Sequence, residues 1–184
     1  MKRIIAAVCA SFIIAASFTS CYDPAKDPKM KLENGTTAAA TEAESEAATE
    51  PPKPADYKDN LNGLRDYLKD LGYITIDKDN ANVSKMNAKL IGAQKGNKYV
   101  MGDVSIEIYE YKLDGENKTR DEMLDSVKSK GSFTLYEKEV KATLSDNGKY
   151  LMIYSNSKID ENDKNSDAYK LREATIKAFK GFYK

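Results

Sequence analysis

The chain has 184 residues, with 29 Lys+Arg balanced by 29 Asp+Glu, and contains neither histidine nor tryptophan. Without histidine, Ser-His-Asp and Cys-His mechanisms cannot be assembled within one chain, and the commonest zinc ligand is missing. The basic residues alternate with acidic ones instead of clustering, which excludes the electrostatic footprint of a nucleic-acid binder or a polybasic membrane patch.

The first twenty-one residues are read before the rest because they set the compartment. Met1-Lys2-Arg3 is a short basic start, Ile4 to Phe18 is an uncharged apolar run, and Thr19-Ser20-Cys21 closes it with small residues. That order is the layout of a secretory signal peptide, and the run is shorter than the roughly 20 apolar residues of a membrane span. The ending Phe18-Thr19-Ser20-Cys21 resembles the lipobox of bacterial lipoproteins, with Phe18 where that family usually has Leu, Val or Ile. The resemblance implies cleavage before Cys21, a diacylglycerol joined to its sulfur, and a lipid anchor on the extracytoplasmic face of the cell membrane. Two or three acyl chains hold a protein stably where one would not. No other cofactor is expected. Cys9 would leave with the leader, so a mature chain has no pair of cysteines for a disulfide and depends on its hydrophobic core.

Residues 21–55 read as a linker. Pro24, Pro28 and Gly35 break its first half, Thr36 to Glu50 is a Thr/Ala/Glu tract, and Pro51-Pro52-Lys53-Pro54 ends it. Such a composition cannot bury a core and is expected to stay disordered, with an average reach of roughly 30 Å.

One domain is expected over residues 56–184. Tyr57, Leu61, Leu64, Leu68 and Leu71 fall at helical spacing, and Gly72 stands where a left-handed cap belongs. Tyr73–Ile76 alternates as a short strand, while Val83, Met86, Leu90 and Ala93 suggest a short helix. From Lys98 the period becomes two, and Lys98–Met101 with Val104–Tyr111 form a hairpin turned at Gly102-Asp103. Within it Val104, Ile106 and Ile108 share one face, and Ser105, Glu107, Tyr109 and Tyr111 the other. Thr119 to Glu122 has the form of a capping box opening a helix that Gly131 stops. Strands follow at Phe133–Glu137, Glu139–Leu144 and Tyr150–Ser155, the last two joined through Asp146-Asn147-Gly148. Ser166 or Asp167 caps a final helix carrying Ala168, Leu171, Ala178, Phe179 and Phe182. The expected fold is α+β: a mostly antiparallel sheet of about five strands, with helices on one face and at both ends.

Candidate chemistry is sparse. Asp163, Asn165 and Asp167 alternate as calcium ligands do, but Ala168 replaces the turn glycine of an EF-hand loop and Ala174 its closing glutamate, so a solvated loop is the plainer reading. Glu107 with Glu110, and Glu137 with Glu139, are the carboxylate pairs on strands. The first pair faces opposite ways and the second flanks a turn, so no catalytic residue is assigned. Tyr109, Tyr111, Tyr136 and Tyr154 could build a tyrosine-rich face for an envelope polymer or protein, unless helices cover them. The favoured expectation is a non-catalytic binding or accessory module of the cell envelope. The alternative is an envelope hydrolase working through carboxylates or a bound cation. A third reading, a module presenting a strand edge to a partner, would be marked by an apolar edge strand without Lys or Pro.

Overall fold

The computed structural model describes residues 50–184. The expected leader, the Cys21 anchor and the linker as far as Thr49 lie outside the described residues.

Helix α1, Leu61–Asp70, starts where the Asn60 side chain accepts the Gly63 N–H at 3.0 Å. It ends in a Schellman motif: Gly72 takes φ 78°, and the Tyr73 and Gly72 N–H groups donate to the Leu68 and Lys69 carbonyls. Gly63 is required by close approach, because a Cβ there would meet the Lys58 carbonyl oxygen at 1.8 Å. The strand expected at Tyr73–Ile76 does not form. Ile74 is buried, but the segment joins no ladder and is held by the Asn82 amide donating to the Thr75 carbonyl at 2.7 Å.

The helix expected over Val83–Ala93 is also absent. Strand β1, Val83–Lys85, is followed by a 3-10 turn at Ala88–Ile91 that Gly92 closes with φ 70°. Val83 packs into one hydrophobic core and Ala88, Ile91 and Ala93 into another, so the periodic stripe never shared one face. Pairing with the next strand overrides the local pattern, as tertiary context commonly does.

Strands β2, Lys95–Met101, and β3, Val104–Glu110, form the expected hairpin, turned at Gly102 with φ 59°. Helix α2, Lys118–Lys130, follows and stops at Gly131. Its cap is Asn117, two residues before the expected Thr119. The Asn117 side-chain oxygen, Oδ1, accepts the Arg120 N–H at 3.0 Å while its side-chain amide donates to the Gly92 carbonyl at 3.1 Å, a tie to the 3-10 turn that Thr119 could not make. Strands β4, Ser132–Leu135, and β5, Lys138–Lys141, then make a separate two-stranded sheet. Tyr136 and Glu137 turn it with φ 48° and 64°, positions usually given to Asn and Gly. The single strand expected at Glu139–Leu144 therefore breaks at Ala142, whose N–H donates to the Gly131 carbonyl. Strand β6 is only Thr143–Leu144, and β7, Tyr150–Asn156, completes the main sheet.

The five main strands lie in the order β1-β2-β3-β7-β6, every neighbour antiparallel. Helix α1 and the final helix α3, Asp167–Lys180, cover one face. There Leu64, Leu68, Phe179 and Phe182 pack on Tyr99, Ile106, Ile108, Tyr150 and Met152, all essentially fully buried. The 3-10 turn, α2 and the β4–β5 hairpin cover part of the other face, around Tyr109, Tyr111, Val127, Phe133 and Leu151. The result is an α+β fold in which both faces of the sheet carry a core.

Candidate functional site

The sequence candidates do not converge. Tyr109 and Tyr111 point to the α2 side of the sheet and are 5% and 1% exposed. Tyr154 lies on the opposite face against the first core, and Tyr136 is 75% exposed at the tip of the β4–β5 hairpin. The four therefore make no common tyrosine surface, because strand alternation and the separate small sheet send them in different directions. Burial pushes the Tyr109 and Tyr111 phenols well above the usual tyrosine range, and at Tyr109 the Glu107 carboxylate adds to it.

In the acidic loop, Asp163 uses its carboxylate to accept the Asn165 N–H at 3.1 Å, and Asp167 is the first residue of α3. These groups serve turns and a helix start. Among the described residues no three Cys, Asp or Glu side chains gather as a metal site would require.

Glu107 and Glu110 occupy opposite faces of β3, as alternation demands. Glu110, 6% exposed, accepts the Leu61 N–H at 3.2 Å at the start of α1 and lies 3.7 Å from the Lys149 ammonium. Lys149 also pairs with Asp59 at 3.1 Å, and Asp59 accepts the Tyr150 hydroxyl at 2.6 Å. This network fastens α1 to the sheet.

Glu107 stands in a different setting. It accepts the Lys98 ammonium at 3.0 Å on one oxygen and the Tyr109 hydroxyl at 2.8 Å on the other. Beside it opens a groove of about 320 Å³ on the α2 side of the sheet. Met86 and Leu90 form one wall, Phe133, Leu135 and Val140 of the hairpin the other, and Ile153 of β7 part of the floor. Leu90 is 44% exposed at the rim. The Tyr109 ring can lie in the floor because Gly96 faces it across the β2–β3 pair: a Cβ at position 96 would stand 2.5 Å from the ring. Apolar walls with a few placed polar groups are the usual make-up of a small-ligand pocket, and the volume lies at the small end of that range. Among the described residues each Glu107 oxygen accepts one hydrogen bond and has capacity for another, so the groove suits an aliphatic or aromatic group bearing an N–H or O–H donor.

The groove draws on four separate segments of the chain, so no local motif announces it. One part was within reach: a hairpin turned at Gly102-Asp103 places Lys98 opposite Glu107, as the register confirms. No protein family, curated protein or solved structure matches this chain.

Proposed function

We propose that the protein is an extracytoplasmic lipoprotein, held at the cell membrane through Cys21, whose domain is a non-catalytic binding module of the cell envelope. The observation that carries the binding reading is the apolar groove beside Glu107, whose single carboxylate is already engaged by Lys98 and Tyr109. A hydrolase of the retaining or inverting kind places two carboxylates across one cleft. Here Glu107 and Glu110 are separated by the sheet itself. The lipid anchor rests on the lipobox-like ending at Cys21, and it supplies location without activity.

Expression of the full chain and of Cys21→Ala, followed by membrane fractionation and intact-mass measurement, tests the anchor. The unsubstituted chain should carry the diacylglycerol mass and sediment with membranes, and Cys21→Ala should do neither. Membrane association that persists in Cys21→Ala would overturn the anchor. Saturable release of glycan fragments from cell-wall material by the purified protein would replace the binding reading with the hydrolase.

A further inference from the structure

We propose that the groove beside Glu107 is a site for a free α-amino acid with a large apolar side chain, held as a zwitterion on the Lys98–Glu107 ion pair. The inference deepens the binding reading above and rests on it.

Strand register puts the pair at the groove. Lys98 of β2 stands directly opposite Glu107 of β3, on the same side of the sheet as Gly96 and Tyr109. Their charged ends meet at 3.0 Å, with the Lys98 side chain 35% exposed and that of Glu107 15%. Neither end is saturated among the described residues. Glu107 accepts one bond on each oxygen, and the Lys98 ammonium spends one of its three donors. The Tyr109 hydroxyl, on a buried ring, holds the carboxylate from below.

Charge selects the occupant. Among the described residues Glu107 is the one charged residue in the lining of the groove, and its partner Lys98 stands next to it. A lone ammonium or a lone carboxylate brought to such a pair is attracted by one member and repelled by the other, and the two effects largely cancel. An occupant carrying both signs gains at both ends. Its ammonium meets Glu107, its carboxylate meets Lys98, and the charges alternate around a ring of zero net charge. The occupant's two groups must lie about as close together as the pair itself, which an α-amino acid satisfies because one carbon bears both.

That carbon also bears the side chain. From beside Glu107 it would enter the groove between the Met86–Leu90 wall and the hairpin wall of Phe133, Leu135 and Val140. About 320 Å³ has room for a leucine- or phenylalanine-sized group, whereas glycine would leave the apolar walls wet. The uncharged amides of a longer peptide offer the pair only dipoles, and gain less from it.

Methyl chemical shifts of Leu90, Leu135 and Val140 in the full chain report occupancy of the groove. The probe is racemic phenylalanine, so that either hand can bind. Analogues strip its charges: phenethylamine keeps the ammonium, phenylpropionate the carboxylate, and phenylpropanol neither. Phenylalanine should bind about tenfold or more tightly than each analogue, and glycine should not shift these methyls. Lys98→Met should remove the advantage of phenylalanine over phenethylamine. Glu107→Gln, whose oxygen can still accept the Tyr109 hydroxyl, should remove its advantage over phenylpropionate. Any analogue binding as tightly as phenylalanine would overturn the zwitterion site while leaving the groove a binding site. N-acetylphenylalaninamide binding as tightly would do the same, by giving the pair to a peptide backbone. Preferences unchanged by both substitutions would also overturn it, by placing the charges of phenylalanine elsewhere. No shift with any probe would remove the groove as a ligand site, and with it the observation that carries the binding reading.

Discussion

Replacing Tyr111 with phenylalanine should stabilise the domain, and the gain should grow with pH. Tyr111 is 1% exposed, and its buried hydroxyl has no hydrogen-bond partner among the described residues. A buried polar group left unpaired costs about 1–3 kcal/mol, so Tyr111→Phe should gain about 1 kcal/mol at pH 7.5 after some loss of packing. The pH dependence is worked from linkage. Burial alone raises the phenol far above its ordinary pKa of about 10, so the folded state keeps the proton after the unfolded state has released it. The corresponding stability is whole below pH 10 and declines as pH climbs towards the folded pKa. At pH 11 the unfolded state gains RT ln 11, about 1.4 kcal/mol, by ionising this one residue. Tyr111→Phe removes that term, so its advantage should widen to roughly 2.4 kcal/mol. Urea denaturation of both proteins at the two pH values measures it directly. A variant less stable than the parent at pH 7.5 would show that the hydroxyl has a partner, such as a buried water. A gap that failed to widen at pH 11 would refute the burial of the phenol.

The same change at Tyr150 should act with the opposite sign: its hydroxyl donates to Asp59 at 2.6 Å, so Tyr150→Phe should lose about 1.5–3 kcal/mol in the same denaturation assay. The β4–β5 turn holds Tyr136 and Glu137 in left-handed backbone, and Tyr136 is 75% exposed, so little packing is at stake there. Tyr136→Asn combined with Glu137→Gly should stabilise by about 1 kcal/mol and raise the melting temperature by a few degrees, and a lowered melting temperature would mean that the tip is held by contacts of its own.

What could be read from the sequence were the elements whose signal is local. Helix α1 announces its end by Gly72, whereas its stripe, read from Tyr57, begins four residues ahead of Leu61, where Asn60 caps the helix. The β2–β3 hairpin follows from Gly102-Asp103 and strict alternation, and α3 from Ser166. The misreadings arise where one pattern serves two structures. Val83 to Ala93 has helical spacing, yet its apolar residues feed two cores on opposite faces of the sheet. Glu139 to Leu144 looks like one strand, but Ala142 hands the chain from one sheet to another. The tyrosines illustrate the same limit: alternation fixed the side of β3 on which Tyr109 and Tyr111 lie, but not that α2, the 3-10 turn and the small hairpin would bury them. The groove beside Glu107 was beyond reach for the same reason, since its walls meet only after the hairpin has folded back over the sheet.

The two cores divide the labour of the chain in a way that bears on how it can change. Strands β3 and β7 are neighbours in the sheet, yet α2, β4 and β5 all lie between them in sequence. That excursion rests on one face, while α1 and α3 hold the other with an independent set of side chains. Lengthening an excursion is entropically mild, as a doubling of loop length adds only about 0.6 kcal/mol to its closure. Substitutions, insertions or exchanges between Tyr111 and Lys141 can therefore reshape the Phe133–Leu135–Val140 wall of the groove without disturbing the packing beneath α1 and α3. The architecture separates a conserved-capacity chassis from a replaceable jaw, and new specificities can be sought in the jaw alone.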